Sequence, residues 1–316
     1  MKRGGQRVRT AANVHAQFTQ ADLRAAVAGL RGTVSFQAPL RDYTSFKIGG
    51  PADVLVEPAD IEDVCLLVQQ ARARKVPFFV LGGTNLLVRD GGIRGIVISL
   101  ARLRGIEEEP EFTLYAEGGV GMPTLIGHAI RHSLAGLEWA AGIPGTVAGC
   151  VVMNAGTKLG EMKDSIKAVR MVNMNGQVVD VPAARVGFEY RRALLPRGIV
   201  VGVWVQLQQG VRSEIERMVK DYLHYRRDTQ PLALPSAGCV FKNPPGDSAG
   251  RLIEAAGFKG VRVGDAEVSL KHGNFIVNRG GARAADVIAL IGKVRSAIRR
   301  RTGVRLDLEL KIVGKP

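Results

Sequence analysis

The sequence predicts an α+β protein built of two unequal units, residues 18–210 and 211–316, behind a basic and flexible extension over 1–17. Three features of the chain point to it. A strand–helix–strand pattern over 53–81 runs into a glycine-rich loop. A middle region of short strands surrounds a second glycine-dense stretch at 136–160. After about residue 210 the character changes to a long polar helix followed by alternating strands and helices.

Leu23, Ala26, Val27 and Leu30 share one helical face, which predicts a first helix over 20–31 with Thr19 as its cap. After a polar turn, residues 53–57 read as a strand. Asp60 can cap a helix carrying Ile61, Val64, Cys65 and Val68. The run Pro77–Leu81 reads as a buried strand, followed by the loop GGTNLLVRDGG at 82–92 and a strand at 95–100. The middle region holds strands at 112–116, 166–173, 177–181 and 199–207 and a helix near 123–133. From 213 a helix carrying Ile215, Met218, Val219 and Tyr222 leads to RRDTQP. Further elements are expected at 238–242, 248–257, 274–278 and 283–300. A last strand at 304–313 would put Leu306, Leu308 and Leu310 on one face and Asp307, Glu309 and Lys311 on the other.

The chain has 316 residues, 46% of them apolar and 23% charged, as in ordinary globular proteins. Its apolar runs are too short to span a membrane, and its start lacks the apolar core of a secretory signal. The net charge of +15 raises nucleic acid, an anionic membrane face or polyanionic small molecules as partners. Aromatics make up 5% of residues and do not interleave with basic stretches, which weakens the nucleic-acid reading. Cys65, Cys150 and Cys239 are far apart and form no ligand pair. Cys65 and Cys150 read as packing residues, and unpaired cysteines suit a reducing cytoplasm. His128 and His132 have the i, i+4 spacing of two metal ligands, but the nearby sequence offers no third, and no metal is expected.

The loop Gly82, Gly83, Thr84, Asn85, Leu86 follows a buried strand, where successive amides can cradle an anion or simply end the strand in a turn. The second cluster, GLEWAAGIPGTVAGCVVMNAG, offers a backbone-rich surface through Gly142, Ile143, Gly145, Thr146 and Gly149, with Asn154 beyond it. Such a surface suits either an extended ligand or close strand–helix packing. The chain lacks both the G-x-G-x-x-G and Walker A patterns. The segment PSAGCVFKNP sets a thiol, Cys239, after a glycine turn; strand alternation would aim Cys239, Phe241 and Asn243 the same way. FEYRRALLP presents Tyr190 and Arg191, and a guanidinium suits a carboxylate or a developing oxyanion.

In their order, YTSFKIGGPA, LGGTNLLVRDGGIRGIVI, GIPGTVAG, FEYR, RRxxTQP, SAGCVFKNP and LELKIVG resemble the bacterial enolpyruvyl-UDP-GlcNAc reductases, the MurB family, over about residues 40 to 314. The chain length and the direct run from FEYR to TQP resemble the shorter, type II subgroup. The family motif F-x-Y-R-x-S has Ala193 in place of its serine here, and the acid position, serine in most members, holds Cys239.

The resemblance implies a PP-loop FAD-binding domain of the PCMH/VAO type, made of two α/β subdomains, followed by a smaller α+β substrate-binding domain. It implies non-covalent FAD, since the first loop carries no His or Cys tether, and NADPH as hydride donor. It implies reduction of UDP-GlcNAc-enolpyruvate, with Arg191 and Glu309 around the substrate carboxylate and Cys239 as proton donor. An ordinary thiol there would also be open to alkylation. Tyr190, Arg226, Arg227, Gln230, Lys242 and Asn243 are candidates for the substrate's sugar and phosphates. The alternatives are another PP-loop flavin oxidase or dehydrogenase, or a catalytically silent FAD- or nucleotide-sugar-binding regulator. Small-molecule partners, no specific nucleic acid, a cytoplasmic location and a monomer are expected.

Overall fold

The computed structural model describes residues 18–82 and 84–316; the basic segment 1–17 and Gly83 lie outside the described residues. Helix α1 (Gln20–Ala26) begins at a reciprocal cap, in which the Thr19 side chain accepts from the Asp22 amide and Asp22 accepts from the Thr19 amide. It stops short of the expected residue 31 because Gly29, at φ +77°, turns the chain, although Leu30 still packs on the core. Strand β1 (Thr33–Pro39) was not legible in the sequence; Ala38 is its one buried residue, so it shows no alternation.

Next come β2 (Pro51–Glu57), α2 (Ile61–Ala73), β3 (Phe78–Leu81), β4 (Leu86–Val88) and β5 (Ile93–Ser99). The first sheet has the order β1-β2-β5-β3, antiparallel at β1 and parallel elsewhere. Strand β2 is buried on both faces, as parallel strands usually are. Val54 and Val56 join the main core with α2, whereas Leu55 and Val97 join a smaller cluster with Leu86 and Val88.

The second sheet is antiparallel. It is built from β6 (Ile106–Glu109), β7 (Thr113–Glu117), β8 (Ile166–Asn173), β9 (Val178–Pro182) and a later strand, β12 (Gly198–Gln206). Between β9 and β12 lies the hairpin β10 (Gly187–Glu189) and β11 (Arg192–Leu194). The sheet order is β9-β8-β12-β7-β6. Helices α3 (Met122–Arg131) and α4 (Val147–Val152) contribute Leu125 and Val151 to a core continuous with that of the first sheet.

The C-terminal part starts with α5 (Arg212–Thr229) and continues through β13 (Ser236–Cys239), α6 (Ala249–Ala255), β14 (Arg262–Val263), β15 (Ala266–Val268), β16 (Phe275–Asn278) and α7 (Ala284–Thr302). Its antiparallel sheet has the order β13-β16-β15-β14. Its core includes Phe46, Ile48 and Leu87 from the other half of the chain, and the Asn278 side chain donates to the Phe46 carbonyl at 3.1 Å. Along α5 the inward face is Ile215, Val219 and Tyr222; Met218, expected on it, is 38% exposed.

The expected strand over 304–313 does not form as one piece. Leu306 and Leu310 are buried, but Leu308 makes only an isolated bridge to Phe241. The chain then crosses to the other half, where β17 (Lys311–Val313) pairs in parallel with β4. Cys150 is buried, Cys65 is half-buried against the core, and all three thiols are free. Among the described residues, no helix is long and apolar enough to cross a membrane.

Asp63, buried at the start of α2, shows what fixes the entry to this fold. Its carboxylate accepts from the amides of Ala59 (3.0 Å), Arg31 (3.1 Å) and Gly32 (2.8 Å). Burial pushes its pKa up, but those amides together outweigh it and hold the carboxyl below the ordinary value of 3.8. The stabilisation is therefore complete above the unfolded pKa and lost as pH falls through the lower folded value. Asp63→Ala is expected to cost about 2–3 kcal/mol at pH 7 and to weaken the acid sensitivity of folding. Urea unfolding at pH 7 and in acid checks both; an unchanged midpoint would mean the three amides find other acceptors.

Candidate active site

A cavity of about 1340 Å³ receives residues from both glycine loops, the β10–β11 hairpin, α5 and β13. That exceeds the roughly 300–1,000 Å³ of a pocket for one small ligand.

The two glycine loops form one wall. Gly82, Thr84 and Asn85 line it from the first; Gly142, Ile143 and Gly149 line it from the second. Thr146 joins them: its hydroxyl donates to the Gly82 carbonyl at 3.2 Å and accepts from the Gly149 amide at 3.2 Å as the cap of α4. A Cβ on Gly82 would stand 3.6 Å from the Gly149 Cα, so the loops meet backbone to backbone. Gly142 has φ +73°, and a Cβ there would lie 2.9 Å from the Arg226 Cδ. Leu86 is instead buried in β4, and Gly145 and Thr146 support the wall without lining it. Gly83 is outside the described residues.

Asn154 does not reach the cavity, contrary to expectation. It is fully buried, with its amide donating to Glu161 (2.8 Å) and the Glu189 carbonyl (3.1 Å) and its oxygen accepting from the Lys163 amide. Those bonds use both ends of the side chain, which braces the loops rather than facing a ligand.

Arg191 and Glu309 also line the cavity. Tyr190 and Arg191 form the two-residue turn of the β10–β11 hairpin, and Arg191 sits at φ +59°, a conformation few non-glycine residues adopt. Its guanidinium donates to the Gly156 carbonyl at 2.8 Å and places Nε 3.2 Å from Glu309 Oε1. Burial pushes the Glu309 pKa up, against the opposing pull of Arg191 and Lys242. Ala193, where the motif has serine, pairs with Phe188 and packs on the main core.

Cys239 lies beside this pair. The strand alternation expected through Phe241 fails, because β13 ends at Cys239 and Phe241 instead bridges Leu308. Phe241 turns into the core, while Cys239 and Asn243 face the cavity. Desolvation pushes the Cys239 thiol up to about 12; Glu309 adds to this, and Arg191 and Arg226 oppose it. Such a shift favours the protonated thiol and slows the alkylation open to an ordinary cysteine. Asn274, which was not legible as a site residue, and Asn85 hold this segment. Asn274 bonds both the amide (2.9 Å) and the carbonyl (2.8 Å) of Phe241, and Asn85 donates to the Glu309 carbonyl at 3.1 Å. Asn85 was expected at the cofactor, yet its side chain also carries this clamp.

Arg226 and Gln230 extend the inward face of α5 into the cavity. Arg226 Nε is shut off from solvent and has no hydrogen-bond partner among the described residues. Burial pushes the guanidinium below its ordinary pKa. Such a group calls for an anion. Arg227 does not line the cavity; it is exposed on the next position of the helix, and its carbonyl accepts from Lys271. Lys242 also lies off the wall, acting on Glu309 only through its charge. Lys271, His272 and Tyr222 do line it, although none carried a motif. The glycine wall, made of backbone and tight against Arg226 at Gly142, together with an unpartnered guanidinium, fits a bound FAD beside an anionic substrate.

Comparison with known proteins agrees. The family described as the UDP-N-acetylenolpyruvoylglucosamine reductase C-terminal domain matches residues 230–313, and the family described as an FAD binding domain matches 52–182. The chain is 42% identical over 287 residues to the UDP-N-acetylenolpyruvoylglucosamine reductase of Caldanaerobacter subterraneus subsp. tengcongensis, covering 90% of this chain and 95% of that one. It is 41% identical to that of Syntrophus aciditrophicus, covering 96% and 98%. The crystal structure of the Thermus caldophilus reductase superposes with a TM-score of 0.77 at 38% identity, covering 90% of this chain and all of that one.

Gly142→Ala is expected to strain the backbone by about 1–3 kcal/mol and to displace Arg226. Fluorescence titration of the apoprotein should show FAD binding weakened by about tenfold or more, and acid should release free flavin from the wild type. Unchanged affinity would remove Gly142 from the cofactor wall.

Proposed function

The chain belongs to the UDP-N-acetylenolpyruvoylglucosamine reductase family, and from that membership we propose how its own residues divide the work. It is a flavin-dependent oxidoreductase that consumes NADPH to reduce UDP-GlcNAc-enolpyruvate to UDP-N-acetylmuramate for peptidoglycan synthesis. Bound FAD supplies the relay of hydride from NADPH to the β-carbon of the enolpyruvyl group.

Residues 18–210 hold the FAD and 211–316 the sugar nucleotide, a division supported by the separate family matches to 52–182 and 230–313. Gly82, Thr84, Asn85, Gly142, Ile143 and Gly149 give the cofactor a wall of backbone. Arg226, lacking a carboxylate partner, takes the diphosphate, with Gln230, Asn243 and Tyr190 around the sugar. Arg191 draws the enolpyruvyl carboxylate and offsets the charge that builds as the α-carbon becomes carbanionic. Glu309, whose burial favours the neutral acid, can stand beside that carboxylate without repelling it. Cys239 gives the α-carbon its proton. The convergence of Cys239, Glu309, Arg191 and Arg226 on one cavity carries this reading. The enzyme works on small molecules; we further read it as a cytoplasmic monomer, which suits its free thiols and is checked by sedimentation of the purified protein.

Arg191→Ala and Glu309→Gln should each slow the oxidative half-reaction with substrate by about 10²–10³ and leave flavin reduction by NADPH near its wild-type rate. Stopped-flow traces of the two halves separate the effects, and equal losses in both would make the pair structural.

Cys239→Ser should retain substantial turnover. Cys239→Ala should reduce its flavin normally but stall at protonation. Iodoacetamide should react slowly at pH 7 and faster as pH rises toward the thiol's pKa of about 12. Full turnover by the alanine variant, with unchanged solvent deuterium at the α-carbon, would show that another group is the acid.

A further inference from the structure

The site above makes no use of the histidine pair on α3. His128 lies in its last turn and His132 at its C-cap, and neither lines the large cavity. We propose that His128, His132 and Glu108 form a binding site for a divalent transition-metal ion of the zinc class. Glu108 is the third ligand that the nearby sequence does not show, because it comes from β6, twenty residues upstream of His128.

The donor atoms converge. Glu108 Oε1 lies 3.4 Å from His128 Nε2 and 2.9 Å from His132 Nδ1, and one ligand atom from each residue falls within 4.8 Å of the others. Ligands about 2.0–2.2 Å from a shared tetrahedral ion stand roughly 3.3–3.5 Å apart, so small side-chain adjustments complete the set. The imidazole rings stack with centroids 4.4 Å apart and planes 12° apart, which brings their edges to one side.

A second, independent observation points to a ligand. His128 Nε2 is closed to solvent and has no hydrogen-bond partner among the described residues, although Glu108 is near. A buried nitrogen left so is uncommon, and a metal ion would satisfy it.

The surrounding charge favours a cation. The end of α3 adds the negative pole of its dipole to the Glu108 carboxylate, whereas Glu109 is engaged by the Trp204 indole and Glu111 lies beside Lys167. Arg131 and Lys167, whose ammonium donates to Thr113 at 3.3 Å, are the opposing charges. Two nitrogens and one oxygen select zinc-like ions over calcium or magnesium, which prefer all-oxygen sets. A cavity of about 230 Å³ beside Glu108, His132, Thr113 and Gln209 leaves space for a water as fourth ligand. The ion would pin β6 to the end of α3, so its role is to brace the second sheet rather than to take part in reduction.

Titration of chelator-treated holoenzyme with zinc chloride, followed by calorimetry and by thermal unfolding, tests this. The wild type should bind Zn²⁺ at one site removed by His132→Ala, with thermal stabilisation that the variant lacks. Glu108→Gln and His128→Ala should each weaken that binding by at least about tenfold, whereas His224→Ala should not. His132 and Glu108 are partly exposed, so their variants should fold, and far-UV circular dichroism verifies it. Wild-type affinity in folded His132→Ala, or no binding to the wild type at micromolar Zn²⁺, would overturn the proposal.

Discussion

Backbone hydrogen bonds from residues 307–311 to two distant segments hold the cavity together. The Lys242 amide donates to the Asp307 carbonyl at 2.8 Å, and the Glu309 amide donates to the Val240 carbonyl at 2.9 Å. Two residues later the Lys311 amide reaches the Asn85 carbonyl at 2.8 Å, and β17 continues along β4. One short stretch therefore ties the Cys239 strand to the first glycine loop. Glu309 sits at the middle of that tie, which is why an acid near the C-terminus faces a hairpin more than a hundred residues earlier.

Desolvation then sets the chemistry of the groups so gathered. The same burial that raises the Cys239 thiol to about 12 also raises Glu309 and lowers Arg226. Each shift favours the neutral form, and each is opposed by a neighbour of suitable charge or awaits one. Arg191 couples to both acids: it stands 3.2 Å from Glu309 and pulls against the rise of Cys239. Its position depends on an uncommon backbone conformation at the tip of a hairpin, held by the Gly156 carbonyl. An anionic substrate entering this space would meet the unpartnered Arg226 guanidinium and an acid whose charge burial disfavours, an arrangement suited to a carboxylate that gains charge as it reacts.

Much of the fold was legible in local pattern. Asp60 and Thr19 cap the helices expected of them, and the strands around residues 53–57, 77–81 and 199–207 follow from short apolar runs, although the one at 77–81 is half-buried rather than buried. The ordered motifs also identified the family, because FEYR, SAGCVFKNP and LELKIVG each keep residue types that a site needs. Other parts were not legible. Strand β1 buries a single residue, so it leaves no periodic trace. Asn154 stands in a motif but serves as a brace, since composition cannot show which way a buried amide bonds.

By itself the sequence determined the elements with strong periodicity, the family, and some of the residues around the cavity, such as Arg191, Arg226, Cys239 and Glu309, because those depend on neighbours within a few positions. Tertiary structure decided what those residues are. It set Cys239 where desolvation pushes the thiol pKa up and favours its protonated form. It split the expected last strand into a bridge and a parallel pair with β4, because the partners of that segment lie in two halves of the chain. It also set Glu108 against two histidines on a neighbouring helix. Electrostatics and ligand geometry depend on distances through space, and those are fixed only when the chain has closed on itself.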